Sequence, residues 1–64
     1  MRSALKELRI ESGLSQAALA SILKVSRQTI NAIETSRYDP SLTLAVRIAR
    51  YFNRPVEEIF YVED

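Results

Sequence analysis

Three side chains in the stretch Val25-Ser26-Arg27-Gln28-Thr29-Ile30-Asn31-Ala32-Ile33-Glu34 could read a patterned row of hydrogen-bond donors and acceptors. Arg27 carries a forked donor, while Gln28 and Asn31 each hold a donor and an acceptor side by side. These are the side chains that pair best with base edges in a DNA major groove. On a helix they share an edge opposite Ile30 and Ile33. Arg27 suits a phosphate contact as well as base reading, and Gln28 and Asn31 also suit a merely solvated helix face. Other chemistries lack their residues. The chain has no Cys and no His, which removes disulfides, thiolate metal sites and an imidazole base. One glycine cannot build a phosphate-cradling loop, and the neighbouring Glu57 and Glu58 diverge on a helix. Neither an enzyme, a metal site nor a cofactor is expected.

Such reading residues need a rigid mount, and the chain is punctuated to supply one. Leu5 and Leu8 repeat at helical spacing ahead of Gly13, which predicts helix 1 over about Ser3–Ser12. Leu14-Ser15 followed by Leu19, and Val25-Ser26 followed by Ile30, are two copies of one device 11 residues apart. In each, the serine can cap the first turn, and the apolar pair around it can staple the chain's entry. They predict helix 2 over about Gln16–Leu23 and helix 3 over about Arg27–Thr35, separated only by Lys24, Val25 and Ser26. That is the description of a helix-turn-helix, over residues 16–35. Ala20 is small where the two helices must cross. Asp39-Pro40-Ser41 marks a further turn and cap. Leu44, Ala45, Ile48, Ala49 and Phe52 then share a face of helix 4, which Asn53 ends. Pro55 opens a short helix 5 carrying Val56, Ile59 and Phe60, and Tyr61-Val62-Glu63-Asp64 is open to a strand or to fraying. The expected fold class is all-α, with five helices.

At 64 residues the chain is expected to be one domain, 1–64, with a thin stability margin, because so small a unit buries only about 60% of its unfolded surface. Apolar residues make up 47% of it, enough for one core and too many for a disordered tail. No apolar run approaches the roughly 18 residues of a membrane span, and no signal-peptide core opens the chain. A cytoplasmic protein is expected. Residues 1–37 hold six basic and three acidic side chains, residues 38–64 three basic and five acidic. This polarity suits a basic face turned toward phosphates; ordinary scatter of surface charge would give it too.

The run Gln16-Ala17-Ala18-Leu19-Ala20 through Val25-Ser26-Arg27-Gln28-Thr29-Ile30-Asn31-Ala32-Ile33-Glu34 resembles the helix-turn-helix of the Cro/phage-repressor (Xre) family. Arg37-Tyr38-Asp39-Pro40-Ser41-Leu42 and Val56-Glu57-Glu58-Ile59-Phe60 are similar to the short, single-domain bacterial and archaeal regulators of that family. The likeness spans roughly residues 4–60. It implies a five-helix, phage-repressor-like domain that binds double-stranded DNA, with helix 3 as recognition helix and no cofactor. Base contacts would fall to Arg27, Gln28, Asn31 and Ser26. Phosphate contacts would fall to Gln16, Ser26, Thr29, Arg37 and Tyr38, with Gln16 beside the free N–H groups of helix 2. Arg9 and Glu34 match an ion pair that orients the recognition helix; read as residues alone they could be a loose surface pair worth under ~1 kcal/mol. Four positions depart from the family pattern. Lys24 replaces the usual turn glycine, Ala18 the capping glutamate of helix 2, Ser36 a glycine or asparagine, and Pro55 the capping serine of helix 5.

A recognition helix of this size touches only about four to six base pairs, too few to specify one genomic site. The resemblance therefore implies a homodimer on an inverted repeat, with half-sites about 34 Å apart. Its expected interface is segment 56–64, with Phe60, Tyr61, Val62 and Tyr51, which exceed what a small core can absorb; in similar regulators such C-terminal residues pair as strands across the dimer. Repression by promoter occupancy is the working expectation, and activation is equally compatible. No small-molecule effector domain and no membrane partner are expected. The competing reading is an antitoxin or protein-interaction module whose main partner is another protein.

Overall fold

The computed structural model describes residues 1–63; Asp64, the end of the expected interface segment, lies outside the described residues. The chain runs β1 (Arg2–Ser3), α1 (Leu5–Glu11), α2 (Gln16–Leu23), α3 (Arg27–Glu34), α4 (Leu42–Phe52), α5 (Val56–Ile59) and β2 (Phe60–Tyr61). All five helices are present and the fold is mostly helical, as the periodicity predicts. Three of them start as the serines dictate. Ser15, Ser26 and Ser41 each sit in extended backbone and accept the N–H of Ala18, Thr29 and Leu44 at 3.0, 3.1 and 3.2 Å, which satisfies a first-turn donor that has no helical partner.

The first four helices also end alike. Gly13, Lys24, Ser36 and Asn53 all adopt left-handed backbone, with φ of 72°, 59°, 61° and 56°. Behind each, the next N–H reaches a carbonyl five residues back: Leu14 to Arg9, Val25 to Ala20, Arg37 to Ala32 and Arg54 to Ala49, all at 2.9–3.1 Å. This is the Schellman closure, which glycine makes at least cost. Glycine supplies it once. Elsewhere an L side chain accepts a left-handed backbone worth about 1–2 kcal/mol of strain, least for asparagine.

These closures fold the helices onto one core. Leu5, Leu19, Ile30, Ile48 and Ile59 are fully buried, each from a different helix, so every helix contributes one anchor. Each such burial stabilises by about 1.5–3 kcal/mol. Ala20 is buried where α2 meets α3, and its small side chain permits the close approach.

The two chain ends depart from the helical expectation. Ser3 and Arg2 do not begin helix 1. They pair antiparallel with Phe60 and Tyr61, and the Ala4 N–H donates to the Ile59 carbonyl at 2.8 Å. Among the described residues, β2 pairs with β1 of its own chain and with no other strand. Phe60, assigned by the sequence to an interface, is only 6% exposed and belongs to the chain's own core. Tyr51, Tyr61 and Val62, by contrast, are 44%, 42% and 69% exposed.

Candidate nucleic-acid interface

α3 is held from both ends and from behind. At its N-terminus the Ser26 hydroxyl accepts the Thr29 N–H and also shares a hydrogen bond with the Thr29 hydroxyl at 2.9 Å. Both hydroxyls expected at DNA therefore already have a partner at the helix start. Behind the helix, Ile30 and Ile33 are buried. That burial dictates, by helical geometry, that Arg27, Gln28 and Asn31 project from the other side. Arg27 and Gln28 are exposed and Asn31 is half-buried.

The orientation of α3 is tied to α1 by Glu34. Its carboxylate accepts from Arg9 twice, Nε to Oε2 at 2.6 Å and Nη2 to Oε1 at 3.1 Å. The side chains are only 2% and 11% exposed, so this is a part-buried two-point pair rather than a loose surface contact. Arg9 Nη1 also donates to the Leu14 carbonyl at 2.7 Å, linking α1 to the loop ahead of α2. The hydrogen bond to Glu34 raises the Arg9 pKa, burial opposes this, and the carboxylate's charge adds to the rise. Gln16 completes the junction, donating from Nε2 to Glu34 Oε1 at 3.1 Å. One carboxylate thus connects α1, α2 and α3.

Gln16, Arg27, Gln28, Asn31 and Arg37 line a single concavity of about 300 Å³. The five come from α2, α3 and the loop after α3, and they bring two positive charges and no carboxylate. Such a lining suits an anionic surface that also carries donors and acceptors. Ser26 and Thr29 stay at the α3 cap outside this lining, and Tyr38, half exposed on the next loop, is not part of it either.

Two residues with work at the site are not among those the sequence singles out. Thr35 caps the end of α3, donating to the Asn31 carbonyl at 2.9 Å and accepting from Arg37 Nε at 3.1 Å. Arg47, on α4, donates from Nη2 to the Leu23 carbonyl at the end of α2. It satisfies an orphan carbonyl and braces the turn leading into α3. The Thr35 bond is a local one to the carbonyl four residues back, whereas the Arg47 bond joins groups 24 residues apart and depends on the packed arrangement.

Residues 5–59 match the family model described as helix-turn-helix. A protein of Methanocaldococcus jannaschii named uncharacterized HTH-type transcriptional regulator is 52% identical over 64 residues, covering all of this chain and 97% of its own. A Bacillus subtilis protein with the same description is 42% identical over 64 residues, again covering all of this chain and 97% of its own. One from Methanothermobacter thermautotrophicus is 49% identical over 65 residues, covering all of this chain and 94% of its own. Among the described residues no helix is long and apolar enough to cross a membrane. With residues 5–59 matching the family model and the whole chain matching such relatives, the chain belongs to the Xre-type helix-turn-helix family.

Proposed function

We propose that this protein is a sequence-specific regulator of transcription that binds double-stranded DNA with α3 in the major groove. The observation that carries the reading is the outward edge of Arg27, Gln28 and Asn31. These side chains line one open concavity with Gln16 and Arg37, while the hydrophobic side of the same helix is sealed in the core. Arg27, Gln28 and Asn31 address base edges; Arg37, Gln16 and the α3 cap at Ser26 and Thr29, with Tyr38 beyond it, address phosphates. Gln16 can do so without releasing Glu34, since its amide has a second N–H.

The eight residues of α3 span about 12 Å, about four base-pair rises of B-DNA. Occupying one site in a genome therefore calls for two copies, and the reading includes a homodimer on an inverted repeat, acting as a repressor by occupancy in the cytoplasm. Exposed Tyr51, Tyr61 and Val62 supply apolar surface for such an interface. Selection from a random duplex library tests the reading. It expects one recovered palindrome, bound at a two-to-two stoichiometry of chains to half-sites. Recovery of no sequence above background would sink it.

A further inference from the structure

Arg37 is folded back onto α3 rather than extended into solvent. Its Nη2 donates to Asn31 Oδ1 at 3.0 Å and its Nε donates to Thr35 Oγ1 at 3.1 Å. Thr35 is itself anchored on the Asn31 carbonyl, so the guanidinium is held at two points beside the Asn31 carboxamide. An asparagine reads adenine with both halves of its amide, donating to N7 and accepting from the exocyclic N6 amine. In this arrangement the accepting half is already taken. Oδ1 has a second lone pair, but a donor arriving there would meet the N–H groups of a cation. What remains facing outward is the Asn31 Nδ2 amine beside a guanidinium with three uncommitted N–H donors.

Resting on the DNA-binding reading above, we propose that Arg37 is a positioning residue for base specificity. By occupying Asn31 Oδ1 it turns Asn31 from an adenine reader into a donor that selects guanine. Guanine offers two acceptors, O6 and N7, in the major groove, and the Asn31 Nδ2 amine is the half of the amide left free to meet them. This role differs from a phosphate contact, which strengthens binding to all sequences alike.

The experiment is selection from a random duplex library with four full-length proteins: wild type, Asn31→Ala, Arg37→Met and the double variant. The base pair facing Asn31 is the position whose preference flattens in Asn31→Ala. Wild type is expected to hold guanine there. Arg37→Met is expected to lower the guanine-to-adenine ratio at that position by about fivefold or more while leaving the other positions unchanged. The double variant is expected to match Asn31→Ala. An adenine preference in wild type would overturn the proposal, as would an unchanged pattern in Arg37→Met with weaker binding to every sequence, or no position that flattens in Asn31→Ala. If wild type enriches no duplex at all, the DNA-binding reading itself falls. Enrichment with an Arg37-independent pattern removes only the present inference.

Discussion

Arg9 Nε lies 2.6 Å from Glu34 Oε2, joining helices that are 25 residues apart in the chain, and the Glu34 side chain it neutralises is almost wholly buried. The pair does more to fix α3 against α1 than to add stability, because desolvation offsets much of the attraction. Cutting it is another matter. Arg9→Met leaves a buried carboxylate with only Gln16 as donor and orphans the Leu14 carbonyl. Urea unfolding should show a loss of about 3 kcal/mol. The double variant Arg9→Met/Glu34→Leu should recover most of it. The raised Arg9 pKa means its contribution is complete below the ordinary arginine value and is lost only as pH climbs through the still higher folded value. Stability should therefore show no Arg9-linked step across the neutral range.

The strained helix ends make a second prediction. Lys24→Gly and Ser36→Gly place glycine where the backbone is already left-handed. Relief of strain exceeds the added entropy of the unfolded chain, and each should stabilise by about 0.5–1 kcal/mol. Asn53→Gly should gain less, because asparagine tolerates this conformation. Thermal unfolding of the three variants orders them.

Arg47 is predicted to act through structure alone. Arg47→Met removes the donor that covers the Leu23 carbonyl and should cost about 1 kcal/mol in denaturant unfolding. Affinity for DNA, measured well below the unfolding transition, should barely change.

Phe60 and Val62, neighbours in the tail, should behave oppositely. Phe60→Ala empties a core position and should destabilise the chain by about 3–5 kcal/mol. Val62→Ser alters an exposed side chain and should stay within about 0.5 kcal/mol for folding while weakening self-association in sedimentation equilibrium. A dimer indifferent to Val62→Ser would move the proposed interface elsewhere.

These residues also mark how far the sequence is legible. Caps at Ser15, Ser26 and Ser41 are written locally, since a cap and the N–H it satisfies lie three residues apart, and the helix starts follow from them. Gly13 announces its turn. Asn53, whose side chain tolerates a left-handed backbone, announces its turn as well, while Lys24 and Ser36 make the same closure because packing of the flanking helices imposes a conformation that their propensity disfavours. Phe60 reads as surplus only until β1 is known to pair with β2 and bring it inside. In the candidate site, Arg27, Gln28 and Asn31 are legible because Ile30 and Ile33 dictate which edge of α3 is free. The Arg37–Asn31 and Arg47–Leu23 bonds are not, since each joins groups whose meeting depends on how a loop or a helix finally packs.

Gln28 gives the energetic counterpart of that geometry. Gln28→Ala should cost about 1–3 kcal/mol on the selected operator and little on unrelated duplex, measured by fluorescence anisotropy at one fixed salt concentration. Equal losses on both would reduce Gln28 to a general contact.

The central claim, that the free edge of α3 enters the major groove, is tested most directly by methylation interference on the selected operator. Guanine N7 projects into the major groove, so its methylation inside each half-site should block binding, and a ligand that fills only the minor groove should fail to displace the protein. Binding that ignores N7 methylation and yields to the minor-groove ligand would contradict the account.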